Sequence, residues 1–238
     1  KITFSDKIRK IFILTGSNIA KKKKINLFIN QITKNKKIRM FKKKNFLPDI
    51  LELKKIIKEI KIFSPDLIIA IGGGGVIDYS KIANASIHIN NLNLILKKKV
   101  RFRKFRKLLI VPTTTGSGAE VTPGAVLYKN KIKYNLRDKS LIPDNYSYQP
   151  QLISNSNKKL KISSAFDSLS QSIESLISFK SNKKSQKYSQ LSISLILRNY
   201  KKFFSTNDYK AIRNMQIAGN FSGKAIAITS TGAPHALS

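Results

Sequence analysis

Four adjacent glycines, Gly72–Gly75, followed by Asp78 and Lys81, are the residues of this chain best suited to holding a ligand. Glycines let the backbone turn tightly and approach a ligand with no side chain in the way. A helix opening just after them aims free N–H groups at the gap, which suits a phosphate. A second cluster, Thr113, Thr114, Thr115, Gly116, Ser117, Gly118, Ala119, Glu120, Val121 and Thr122, offers hydroxyl donors for a phosphate or ribose. A third set is sparser. Asp167 and Gln171 stand four apart and share a helix face, with Glu174 nearly on the same stripe. The Asp167 carboxylate is either a helix cap or a group pointing into a cleft. His235 lies in the turn-rich stretch Thr231–His235, and His88 reads as structural.

Strands must place the first two clusters. Leu67–Ile71 is a continuous apolar run, too short for a helix and too uniform for a half-exposed strand, so it reads as a strand buried on both faces. Lys107–Val111, closed by Pro112, reads the same way and leads into the hydroxyl cluster. Lys10–Thr15 and Ile38–Phe41 are two further strands, and Ala125–Tyr128 a fifth apolar segment before a hairpin turn. Helices are expected over Ile25–Thr33, from Pro48-Asp49 onward, and from Val76 to about Ala85. This alternation predicts an α/β domain with a Rossmann-like open parallel sheet, with ligands at the carboxyl ends of its strands. After residues 150–155 the pattern becomes helical, over Leu160–Ser178, Tyr188–Phe203 and Ile212–Ala227. The expected division is a dinucleotide-binding α/β domain over 1–153 and an all-α substrate and metal domain over 154–238.

Composition narrows the function classes. The 238 residues carry 46 Lys+Arg against 12 Asp+Glu, a formal charge of +34. Such a balance fits a nucleic-acid partner. Yet the lysines are spread along the chain and accompany an excess of Ile, Asn and Ser, as AT-rich codon usage would produce. Only Lys21–Lys24 and Lys97–Lys107 (KKKVRFRKFRK) are dense, and the second interleaves Phe102 and Phe105 with cations. A lysine-rich solvated surface is the preferred reading over specific nucleic-acid binding. The chain has no Cys, hence no disulfide or thiolate site, and no long apolar span, which fits a cytoplasmic protein without a membrane partner. It opens at Lys1 without Met and stops at Ser238 inside a motif, so a C-terminally incomplete chain is expected.

Four motifs, IIAIGGGGVIDYSK, PTTTGSGAEVT, AFDSLSQSIES and SGKAIAITSTGAPHALS, in this order and spacing, resemble the iron-containing (group III) alcohol dehydrogenases. Within that family SQSIES, where most members have a His, and the terminal APHALS look most like the phosphonoacetaldehyde reductase subgroup. The resemblance implies that Gly73, Gly74 and Gly75 bind the pyrophosphate of NAD(P)H. Thr113, Thr114, Ser117 and Thr122 would line the adenosine and nicotinamide side, and Lys133 would reach the ribose. Gly75 departs from the usual Ser, removing one hydroxyl donor. Gly16 stands where many NAD-specific members carry Asp, which makes NADP(H) admissible, with Lys21–Lys24 near in sequence to favour it.

For the divalent metal, Fe2+ first and Zn2+ second, Asp167 and His235 match two family ligands, and Gln171 replaces a third, normally His. An amide oxygen is a weaker ligand for such a metal than imidazole. The family mechanism implies a metal that polarises the substrate carbonyl while nicotinamide delivers hydride. The expected function is therefore a metal-dependent NAD(P)-linked alcohol dehydrogenase, reducing phosphonoacetaldehyde to 2-hydroxyethylphosphonate, with a homodimer admissible. The alternatives are a family member acting on a polyol, sugar alcohol or simple alcohol, and a catalytically impaired relative or basic nucleic-acid-binding protein.

Overall fold

The structure, a computed structural model, describes residues 2, 4–97 and 99–232. It divides into two compact units, Lys1–Pro112 with Pro123–Ser147, and Thr113–Thr122 with Tyr148–Ser238.

The first unit is built on a parallel sheet. Strands β1 (Lys10–Gly16), β2 (Lys37–Lys43), β3 (Leu67–Gly72), β4 (Lys107–Pro112) and β7 (Asn145–Tyr146) lie in the order β2-β1-β3-β4-β7. All pairs are parallel. β3 is central and buried at every position, as its unbroken apolar run requires. The Asp66 carboxylate starts the register, accepting the Arg9 and Lys10 amides at 2.8 Å each. Helices α2 (Lys23–Ile32), α3 (Ile50–Phe63) and α4 (Gly74–Ser86) supply the crossovers between the parallel strands. α3 begins where Pro48-Asp49 predicts, since the Asp49 side chain accepts the Leu51 and Glu52 amides. An antiparallel hairpin, β5 (Gly124–Lys129) and β6 (Ile132–Arg137), packs on α4. Short helices α1 (Ser17–Ala20) and α5 (Asn93–Leu96) complete the unit with the 3-10 turn Lys139–Leu141. These, and the two-residue β7, are too short to show a periodicity in sequence.

The second unit is helical: α6 (Pro150–Ile153), α7 (Lys158–Ile177), α8 (Lys183–Ser205) and α9 (Tyr209–Thr229). Its core gathers Ile153, Ala165, Ile196, Phe203, Ile212, Met215 and Ala218. Helical periodicity locates α7, whose apolar residues divide between core and surface, with Ala165 buried. Phe166, Ile173 and Ile177 are exposed, whereas Ser164, Ser168, Gln171, Ser172 and Ser175 are buried. Small side chains win the interior because the backbones come close there. A Cβ on Gly219 would sit 2.0 Å from the Thr115 carbonyl oxygen, and one on Gly223 2.6 Å from that of Gly118. Gly118 itself has φ +57°, a left-handed conformation that glycine adopts at little cost. This close approach seats the hydroxyl-rich segment Thr113–Thr122 against α7 and α9, so it belongs to the helical unit although the sequence reading placed it with the sheet. No described helix is long and apolar enough to cross a membrane.

Candidate functional site

In the sheet unit the candidate site is the carboxyl end of β3. Gly72 closes the strand, Gly73 is the N-cap of α4, and Gly74 and Gly75 form its first turn. No side chain caps this helix end, so its first amides are available to an anion. Gly72 cannot carry a side chain, because a Cβ there would meet Val76 at 2.6 Å. A Cβ on Gly75 would meet the Lys43 Nζ at 3.2 Å and Pro48 at 3.5 Å, space that yields on the lysine side.

Behind the turn lies a polar network that fixes it. Asp78 accepts the Val126 amide at 3.0 Å, and Lys81 Nζ donates to the Gly124 carbonyl. One turn of α4 thereby holds the start of the β5–β6 hairpin with two side chains. Burial pushes the Asp78 carboxyl up to about 6, against the opposing pull of Lys81, the Val126 amide and Lys43. Burial also lowers the Lys43 ammonium, which Glu52 and Asp78 partly offset. Lys43 Nζ donates to the Phe46 carbonyl at 2.7 Å. Tyr79, fully buried, donates to Glu52 Oε2 at 2.9 Å and accepts the Asp49 amide at 2.5 Å. Glu52 in turn accepts the Lys44 and Asn45 amides at 2.7 and 3.2 Å. This tie between α3, α4 and the β2–α3 loop was not anticipated. Its partners are 27 residues apart in sequence and carry no shared spacing signal.

The other predicted residues are placed as follows. Lys133 is on β6, paired in register with Tyr128, and half-exposed. Gly16, at the end of β1, is the N-cap of α1 and has no carboxylate to offer. Thr15, just before it, has a buried hydroxyl without a partner. In the helical unit Thr113 is buried and its hydroxyl also lacks a partner, while Thr114 and Ser117 are half-buried and Thr122 is buried. The Ser117 hydroxyl accepts the Ala119 amide at 3.4 Å. Thr115, read only as part of the cluster, is a structural residue: its hydroxyl meets that of Ser164 at 2.9 Å, and its carbonyl accepts from Ser168 at 2.9 Å. Glu120 accepts from Tyr148 and Asn220 at 3.1 and 3.2 Å.

Asp167 lies in the interior of α7, whose N-cap is Asn157, so the cap reading is excluded. Gln171 donates from Nε2 to Asp167 Oδ1 at 2.9 Å and accepts from the Ser222 hydroxyl at 3.0 Å. Both polar ends of the Gln171 amide are thus engaged. Among the described residues no group of three or more His, Asp or Glu could hold a metal ion. His235 lies outside the described residues. Asp167 and Gln171 by themselves do not fit a transition-metal centre.

The alternating α/β order, the glycine turn and the helical second unit can be set beside known proteins. The model of the iron-containing alcohol dehydrogenases matches residues 3–150, and that of the Fe-containing alcohol dehydrogenase family C-terminal region matches 161–238. The chain belongs to the iron-containing alcohol dehydrogenase family. It is 33% identical over 191 residues to a 4-hydroxybutyrate dehydrogenase of Clostridium kluyveri, covering 78% of this chain and 51% of the relative. It is 29% identical over 202 residues to an alcohol dehydrogenase of Thermococcus barophilus, covering 80% of this chain and 52% of the relative. The chain therefore spans about half the length of these two relatives. Among solved structures, a sulfoacetaldehyde reductase from Bifidobacterium kashiwanohense in complex with NAD+ superposes with TM-score 0.89 at 21% identity, over 97% of this chain and 62% of that one. A 1,3-propanediol oxidoreductase superposes with TM-score 0.88 at 20% identity, over 95% of this chain and 60% of that one. At such identities the likeness concerns the fold.

Proposed function

We propose that this chain carries the nicotinamide-cofactor site of an NAD(P)-linked alcohol dehydrogenase that works as an aldehyde reductase. The observation that carries the reading is the uncapped N-terminus of α4, opened by glycines at the carboxyl end of a fully buried parallel strand. The residues fit the group: no side chain caps the Gly73–Gly75 turn, so its amides are open to phosphate oxygens. When bound, the nicotinamide supplies a hydride. The chain's own part is to bind and orient. The α4 amides hold phosphate oxygens; Asp78 and Lys81 keep the hairpin that carries Lys133 in register. With no carboxylate at Gly16 to repel a 2′-phosphate, both NADH and NADPH are accepted.

The substrate proposed is phosphonoacetaldehyde, reduced to 2-hydroxyethylphosphonate. In support, two relatives are named for substrates with an anionic tail, 4-hydroxybutyrate and sulfoacetaldehyde. The test ranks kcat/KM for phosphonoacetaldehyde against butyraldehyde and, in the oxidising direction, 2-hydroxyethylphosphonate against glycerol and 1,2-propanediol. A phosphonate preference supports the assignment; equal rates would remove it.

A second reading follows from Gln171, whose amide is tied to Asp167 and Ser222. It is that of a relative that binds nicotinamide cofactor but holds metal weakly. Gln171→His should then tighten Zn2+ or Fe2+ binding by about tenfold in calorimetric titration, since imidazole is the better donor. Unchanged affinity would show that Gln171 is not the weak point.

A further inference from the structure

The basic run Lys97–Lys107 has a structural solution different from stacking on bases. Phe102 is buried and Phe105 lies half-buried under the Arg106 guanidinium, 4.1 Å from its ring. The intervening cations are pushed outward by this alternation, and Arg101 and Arg103 are exposed. Together with His88, Lys104, Lys139 and Ser140 they line an open pocket of about 800 Å³ in the sheet unit.

Three features make this pocket more than a lysine-rich surface. Its backbone is pinned at successive residues: His88 Nε2 meets the Arg101 carbonyl at 3.0 Å, Ser140 donates to the Phe102 carbonyl at 3.2 Å, and the Arg103 amide donates to Ala85 at 3.0 Å. Lys104 pairs with Asp144 at 3.0 Å. Among the described residues Arg101, Arg103 and Lys139 have no carboxylate partner. Three like charges held around one cavity repel each other, and an oxyanion placed among them removes that cost. Arginine forks match phosphate oxygens in pairs. With Phe102 committed to the core, the pocket offers mainly charge and hydrogen-bond donors.

We infer that this pocket is a binding site for a small multivalent phosphate, a phosphoryl or pyrophosphoryl group, separate from the glycine turn at α4. The source of the group is either inorganic or a phosphorylated metabolite.

The experiment titrates the full chain with inorganic pyrophosphate and with glycerol 3-phosphate by calorimetry at low salt. It is run on wild type, on R101A/K139A, and on K54A/K58A, which removes the same charge from two exposed lysines of α3. Pyrophosphate binding should weaken by about tenfold in R101A/K139A, whose circular dichroism is unchanged, and by less than twofold in K54A/K58A. Tighter pyrophosphate points to an inorganic source and tighter glycerol 3-phosphate to a metabolite, and either supports the site. Equal weakening in both variants would overturn it in favour of diffuse charge. Full retention in R101A/K139A would overturn it by placing the anion at the glycine turn. Displacement of pyrophosphate by a mixed-sequence single-stranded oligonucleotide of higher affinity, lost in R101A/K139A, would overturn it in favour of nucleic acid.

Discussion

Gly75 and Asp78 sit three residues apart on α4 and make opposite demands on a substitution. At Gly75 the nearest atom to a new Cβ is the mobile end of Lys43, so a serine fits with a small shift of that lysine. Gly75→Ser should leave folding intact and tighten NADH binding by about fivefold, the value of one added hydroxyl donor. Fluorescence titration reads this directly. Asp78 is a stability question. Its carboxyl is raised by burial to about 6 in the folded chain, from an ordinary value of 3.8. The folded state therefore binds more protons than the unfolded one between these values. The associated stability is present below pH 3.8 and is lost as pH rises through about 6. Asp78→Asn keeps an acceptor for the Val126 amide and never charges, so its stability relative to wild type should rise between pH 4 and pH 7, by at most about 3 kcal/mol. Urea unfolding at the two pH values measures it; a gap independent of pH would contradict the burial of that charge.

At the scale of elements, much was legible because local signals agreed with tertiary demands. β1, β3 and β4 are apolar runs between turn residues, and the structure buries them in the predicted parallel sheet. Asp49 announces α3, and the glycines announce the β3–α4 turn. What could not be read depends on residues far apart in the chain. The burial of Ser164, Ser168 and Ser172 on α7 could not be read, because nothing local shows that Thr115 and Gly219 come into contact. The Gln171–Ser222 bond spans 51 residues, and the Tyr79–Glu52 bond links two helices whose periodicities are silent about each other. The contact at Gly219 makes the second unit sensitive. A Cβ there faces a backbone carbonyl at 2.0 Å, which cannot rotate away. Gly219→Ala should cost about 3 kcal/mol in urea unfolding, despite alanine's better helix propensity. A neutral or stabilising result would contradict the seating of the Thr113–Thr122 segment on α9.

For the whole molecule the formal charge of +34 is the dominant field, and it favours any anion that approaches. Binding of a dinucleotide is therefore meaningful only where it is local. Placing a carboxylate at the first residue of α4 separates the local effect from the global one. Gly74→Asp complements the helix dipole, which should hold or raise Tm, yet it repels a pyrophosphate at the same spot. NADH and NADPH titrations of wild type and Gly74→Asp, with Tm recorded for both, test the central claim most directly. The account predicts saturable binding by wild type and a loss of at least about tenfold in the variant, at undiminished Tm. Failure of wild type to bind either cofactor, or equal affinity in the variant, would contradict it.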